Sequence, residues 1–309
     1  MLRRSTLLLL VLALISCGGS SKPKEEKSTT ITFAANSLRF EPSFHPSRIG
    51  SYEEYRRAID SYWDGFDFAA DTLVTKYERT SLIEAFANYV VYIEPPRADS
   101  LLRHLIHRAE ASRPVLDLFV DISEKVLHDP NSPLRNDEYY IPILEELMTS
   151  PLMDEYDRII FDHDLAIARK NRVGAVATDF SFITADGREA RLSDIKARYT
   201  LLMFNNPECN MCRDIMSEIE SSPLLNALID AEQLKVIAIC PDGATEVWRE
   251  KVATMPAGWI VAYDKDSQIS THNLYDLRAI PSLYLLDSAK RVIIKDGTNV
   301  GYIEAVISR

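Results

Sequence analysis

Cys209 and Cys212 enclose Asn210-Met211 and open a segment in which Cys212, Ile215, Met216 and Ile219 fall on one helical face. In the first turn of a helix, residues i and i+3 lie on neighbouring parts of one surface, so two sulfurs there can close a short disulfide. The first cysteine of such a pair sits near backbone N–H groups that have no helical partner, at the positive end of the helix dipole. Both favour thiolate over thiol, and thiolate is the nucleophile. A buried second cysteine can then attack the mixed disulfide and release the product. The chemistry offered is thiol–disulfide exchange, with Cys209 attacking and Cys212 resolving. The same spacing is half of a zinc site, but structural zinc takes about four ligands. Cys240 and scattered histidines such as His272 supply no second knuckle, so no metal site is expected. A second element, Ala279-Ile280-Pro281-Ser282, stands directly before an apolar run. Proline opening a strand is allowed on geometric grounds alone.

The surrounding pattern supplies elements able to hold these residues. Residues 200–204 form a short apolar run, as a buried parallel strand should, and Asn205-Asn206-Pro207-Glu208 turns it into the cysteine segment. Upstream, 179–184 alternates, Ala185-Asp186-Gly187 signals a turn and a short strand follows. A brief helix is expected at 193–199. Pro223 breaks the cysteine helix. A helix at 223–232, a strand at 234–239, a helix at 244–253 and a strand at 259–263 come next. Strands at 282–286 and 291–294 are joined by Asp287-Ser288-Ala289-Lys290. The order βαβαβ followed by a hairpin implies a mixed sheet flanked by helices.

From residue 51 to 171 the pattern is helical instead. Tyr52, Tyr55, Ile59, Tyr62 and Trp63 mark one apolar face; Leu82, Ile83, Phe86 and Val90 a second; Leu101, Leu102, Leu105 and Ile106 a third. Pro114 sits early in a fourth segment, where proline is tolerated. Further helices are expected at 137–149 and 153–169. No GxGxxG or Walker loop occurs, and five or six helices forming an all-α domain are expected. Asp64, Asp67 and Asp71, or His104 and His107, follow helical spacing that could serve a metal, but solvated faces explain them as well.

A strand, a C-x-x-C at a helix start, then Ile-Pro-Ser before a strand about 70 residues later resembles the thioredoxin superfamily. The resemblance implies a thioredoxin-like α/β fold with Pro281 cis and packed against the redox pair. It also implies that Ile280 offers backbone hydrogen bonds to a bound substrate chain. The segment GAVATDFSFITADGREARLSDIKARYTLLMFNNPECNMC (174–212) is similar to the TlpA/ResA and AhpC/TSA branch. Peroxiredoxins of that branch carry Pro-x-x-x-Thr-x-x-Cys. Here Pro207 lies two residues before Cys209 and no threonine occupies the peroxide-activating position. Thioredoxin has a buried carboxylate six residues before its first cysteine, where this chain has Met203. Glu208, assigned here to the substrate-binding rim, either substitutes for that relay or opposes the Cys209 thiolate by like charge. Cys240 reads as an inert buried thiol or, alternatively, a third redox participant. DPNSPLRNDEYYIPILEEL (129–147) with NRVGAVATDF (171–180) resembles Bacteroidetes lipoproteins that pair a DUF5106 domain with a thioredoxin-like domain.

The chain has 309 residues and a net charge of −11. The length favours two domains, and an acidic surface argues against nucleic-acid binding, which wants a basic footprint. At the N-terminus, Met1-Leu2-Arg3-Arg4 precedes an apolar run at 7–15 that is too short for a membrane span of about 20 residues. Ser16-Cys17 then resembles a bacterial lipobox, with Cys17 the lipidated residue. The expected organisation is a signal peptide at 1–16, a polar tether at 17–35, an all-α domain at 36–170 and a thioredoxin-like domain at 171–309. The expected protein is a lipid-anchored oxidoreductase facing the periplasm, on the outer membrane, with Cys209, Cys212 and Pro281 as its catalytic set. It would reduce disulfides of exported protein substrates and draw electrons from a membrane donor, with no cofactor of its own. Two other readings remain open: a partner-binding lipoprotein using the thioredoxin-like domain as scaffold, and a thiol peroxidase.

Overall fold

The computed structural model describes residues 32–42, 44, 49–69 and 74–309. The expected signal peptide, Cys17, most of the tether and Asp71 lie outside the described residues. The N-terminal region contains β1 (Thr32–Leu38), α1 (Tyr52–Asp60), β2 (Val74–Tyr77), α2 (Arg79–Tyr92), α3 (Pro95–Ala109), α4 (Arg113–Ser123), α5 (Asp137–Thr149) and α6 (Glu155–Ala168). The starts follow local chemistry. Ser51 and Asn136 accept N–H groups of the first turns of α1 and α5. Asp154 and Asp157 form a reciprocal capping box on α6, and prolines occupy the first turns of α3 and α4. The faces read from periodicity converge on one core, with Leu82, Phe86, Leu102, Ile106, Phe119 and Ile122 fully buried. Each such side chain contributes about 1.5–3 kcal/mol on leaving water.

Two features amend the all-helical expectation. β1 and β2 pair in parallel as a two-stranded ladder, and β1 begins at Thr32, inside the segment expected to remain tether to residue 35. Both strands are short and meet only across the intervening chain, so neither carries a local hairpin signal. Beyond Ser123, α4 widens into a π turn over Glu124–His128.

The C-terminal region holds β3 (Ser181–Thr184), β4 (Glu189–Arg191), β5 (Tyr199–Phe204), α7 (Asn210–Ser221), α8 (Pro223–Asp230), β6 (Leu234–Cys240), α9 (Glu246–Lys251), β7 (Ile260–Tyr263), α10 (Gln268–Thr271), β8 (Ser282–Asp287), β9 (Val292–Gly297) and α11 (Val300–Ile307). The seven strands run in the order β4-β3-β7-β6-β5-β8-β9. β5, β6 and β7 are parallel; β8, β9 and β3 are antiparallel to their neighbours. Gly187 turns the β3–β4 hairpin at φ 84°, a conformation open to glycine at no steric cost. The helix expected at 193–199 is only a three-residue 3₁₀ turn, Leu192–Asp194, since the next residues extend into β5. Buried side chains line both faces: Phe182, Phe204, Ile237, Tyr275 and Tyr284 on one, Leu201, Met203, Cys212, Ile219 and Leu283 on the other.

The two regions have separate apolar cores, ending at Ala168 and beginning at Ala177, yet residues 31–309 form one compact unit. Buried polar contacts join them. Arg135 pairs with Asp276 at 2.7 Å and also with Asp296. Lys295 pairs with Asp137 at 2.6 Å and donates to the carbonyls of Ala168 and Lys170. Arg278 donates to both oxygens of Asp276 and meets the His128 ring.

Candidate active site

β5 is buried between β6 and β8 and delivers the chain to a turn fixed on several sides. The Asn205 N–H donates to the Ile239 carbonyl at 2.9 Å. Asn206 Oδ1 accepts from the Glu208 N–H at 2.9 Å, and its Nδ2 donates to Asp242 at 3.1 Å. The Asn206 carbonyl accepts from the Cys209 N–H at 3.1 Å. Cys209 thereby becomes the N-cap of α7, where its sulfur accepts from the Cys212 N–H at 3.1 Å. An N-terminal helix N–H without a helical partner has found a sulfur acceptor, as the spacing implied.

The two thiols occupy different surroundings. Both are free. Cys209 is partly exposed, while Cys212 is fully buried among Met203, Ile215, Ile219 and Leu283. Burial, followed by hydrogen bonding to Cys209, raises the Cys212 thiol from 9.0 to about 12. Facing the pair, the Ile280–Pro281 peptide is cis, and the Ile280 carbonyl accepts from the Cys209 thiol at 3.6 Å. Cys209, Cys212, Ile280 and Pro281 thus meet at one place. Glu208 is exposed beside them, with its backbone tied to Asn206. Met203 fills its position with apolar bulk, so the cluster holds no carboxylate there. Cys240 is buried at the end of β6, and burial raises its thiol as well.

Two clefts border the turn before the pair and the proline loop facing it. One of about 180 Å³ is lined by Pro207, Arg213, Met216, Trp248, Val252 and Met255. The other, about 490 Å³, lies beside Pro281. The anchoring role of Asn206 was visible only as a turn signal, and the polar network behind Pro281 had no sequence signal. The other candidates resolve locally: Asp64 pairs with Arg108 at 2.9 Å, Asp67 accepts from the Ala69 N–H, and His107 meets Glu110 at 3.1 Å. Among the described residues no three His, Cys, Asp or Glu side chains converge to hold a metal.

A mixed sheet that presents a cysteine pair at a strand–helix turn, opposite a proline loop, defines a thioredoxin-like domain. Residues 173–295 match the AhpC/TSA family, and 16–171 match the domain of unknown function DUF5106. The chain belongs to the DUF5106 family, here coupled to a thioredoxin-like domain. It is similar to a thioredoxin-like protein from Bacteroides caccae ATCC 43185, with 31% identity over 87% of this chain and 97% of that one, at a TM-score of 0.80. It is also similar to the C-terminal domain of an uncharacterized protein from Bacteroides fragilis NCTC 9343, with 37% identity over 45% of this chain and 99% of that one, at a TM-score of 0.44. The thioredoxin domain of a thiol-disulfide oxidoreductase from Bacteroides vulgatus matches 44% of this chain, and 96% of its own length, with 20% identity and a TM-score of 0.39. No curated protein matches the chain.

Proposed function

We propose that the chain is a thiol–disulfide oxidoreductase that reduces disulfides of exported proteins, held at a membrane by lipid on Cys17. The observation that carries this reading is the asymmetry of the pair: an accessible Cys209 capping α7, above a Cys212 that is buried and protonated. The Cys209 thiolate attacks one sulfur of the substrate disulfide. The substrate S–S bond breaks, and the departing thiolate takes a proton. Cys212 then gives up its proton and attacks the Cys209 sulfur of the mixed disulfide. The Cys209–Cys212 bond forms and the second substrate thiol leaves. Two electrons and two protons have passed to the substrate. A dithiol donor at the membrane restores the pair by the reverse exchange. The lipobox-like Ser16-Cys17 supports a lipid anchor facing the periplasm, and the outer membrane is the proposed site.

The reading is tested by equilibrating the pair with glutathione buffers and measuring its reduction potential. A reversible two-electron couple toward thioredoxin's roughly −270 mV supports a reductant, and one toward DsbA's roughly −120 mV makes the protein an oxidant. Absence of any reversible couple refutes the oxidoreductase reading and leaves the scaffold.

A further inference from the structure

The cleft of about 490 Å³ beside Pro281 has walls from both regions. Pro130, Ser132, Pro133 and Arg135 come from the helical region. Ala279, Pro281, Gly297, Thr298 and Asn299 come from the thioredoxin-like region. Pro281 follows Ile280, whose carbonyl touches the Cys209 sulfur. A polypeptide whose sulfur reaches Cys209 and whose chain continues over Pro281 would meet this cleft.

The helical wall is built to keep its shape. Proline fixes φ at positions 130 and 133. Asp129 accepts the N–H of Asn131 through its side chain and that of Ser132 through its carbonyl. The Ser132 hydroxyl donates to Val126 and accepts from the Leu134 N–H. The Asn136 N–H closes the loop onto Leu127, and Arg135 anchors it to Asp276 and Asp296. The charges in the cleft already have partners: Arg135 and Asp296 are paired with each other, and Lys295 with Asp137. A charged substrate residue entering here would lose water without gaining a free counter-charge.

We propose that residues 130–133 of the helical region form a specificity wall of the substrate groove, selecting cysteines in extended polypeptide segments with uncharged neighbours. This rests on the oxidoreductase reading above and gives the DUF5106 region a role in it. An extended segment can lie along a cleft lined by residues 130–135 of the helical region and by 279, 281 and 297–299.

The test uses the full chain and three probes: hydroxyethyl disulfide, and the mercaptoethanol mixed disulfide of an unfolded peptide with either apolar or aspartate residues flanking its cysteine. The wild type is expected to favour the apolar peptide over the aspartate peptide by about tenfold in kcat/KM, the lower end of pocket discrimination. Pro133→Trp fills the cleft from the helical wall and Thr298→Trp from the thioredoxin-like region; both positions are exposed. Each is expected to lower the ratio of apolar peptide to hydroxyethyl disulfide kcat/KM by about tenfold. If the wild type reduces both kinds of disulfide but neither variant moves the ratio beyond about twofold, the wall is refuted while the redox reading stands. If the wild type reduces none of the three, the oxidoreductase reading itself fails.

Discussion

At pH 7, limiting iodoacetamide added to the reduced chain should label Cys209 and spare Cys212. The magnitude follows from the environment of the second thiol. A thiol titrating at 9.0 is about 1% thiolate at pH 7, and one raised to about 12 is about one part in 10⁵. Burial thus leaves Cys212 with about 10³-fold less thiolate than a thiol of ordinary acidity, and the greater nucleophilicity of a more basic thiolate returns about 20-fold of this, for a net slowing of about 50-fold. The residue is also fully buried on the sheet-facing side of α7, which adds a steric barrier. Quenching at short times and quantifying the alkylated peptides by mass spectrometry gives the ratio of the two rates. Labelling of Cys209 well over tenfold faster than Cys212 is expected, from the thiolate deficit and the burial of Cys212 together. Labelling of Cys212 within about tenfold of Cys209 would refute the argument that the fold sets the order of attack and resolution.

Replacing Cys212 by Ser should trap a mixed disulfide on Cys209, visible as a mass adduct on a non-reducing gel, because the resolving sulfur is gone; Cys209→Ser should form none. Arg135→Met leaves Asp276 and Asp296 buried without their shared cation. The side chains are 12%, 2% and 9% exposed, so a loss of about 3–5 kcal/mol in denaturant unfolding is expected, and a loss below about 1 kcal/mol would contradict a joining role for these buried pairs. The same two carboxylates predict opposite pH responses. Burial acts to raise Asp276, but Arg278 and Arg135 outweigh it and hold the group at about 2, below 3.8. Its contribution to stability is therefore present above pH 3.8 and lost as pH falls toward 2. Burial raises Asp296 to about 6 despite Arg135, so its contribution is full below 3.8 and lost as pH rises through 6. Asp276→Asn should flatten the acid limb and Asp296→Asn the limb between pH 4 and 6 in urea titrations; unchanged limbs would contradict the assignment.

The placement of the cysteine pair was legible because its signals are local: a buried run, a turn and two cysteines at helical spacing all fall within residues 200–219. The helical faces were legible for the same reason, as was the β8–β9 hairpin, where Asp287 accepts the N–H groups of Ala289 and Arg291. What escaped depends on distance along the chain. Arg135 finds Asp276 across 141 residues, and nothing around either residue marks it as buried. β1 and β2 gain their pairing only from each other, and α11 is a final apolar run that buries Val300, Ile303 and Ile307 against the α7 side of the sheet. The widened turn at Glu124–His128 continues the apolar period of α4 through Val126, so periodicity could not separate the two.

The unread contacts concentrate on one stretch. Lys170 donates to the carbonyls of His272 and Asn273, Asn171 donates to that of Leu274, Arg135 holds Asp276, and His128 meets Arg278. Two residues further on, Ile280 meets the Cys209 sulfur. The loop that carries the proline opposite the cysteine pair is therefore held along residues 272–278 by the helical region as well as by its own sheet. Buried hydrogen-bonded groups of this kind resist displacement because a freed partner would be left desolvated. A thioredoxin-like sheet can form its apolar clusters from its own residues, as the separate cores show. The loop that carries Pro281, by contrast, is held by residues 128–171, and this ties the helical region physically to the surroundings of Cys209.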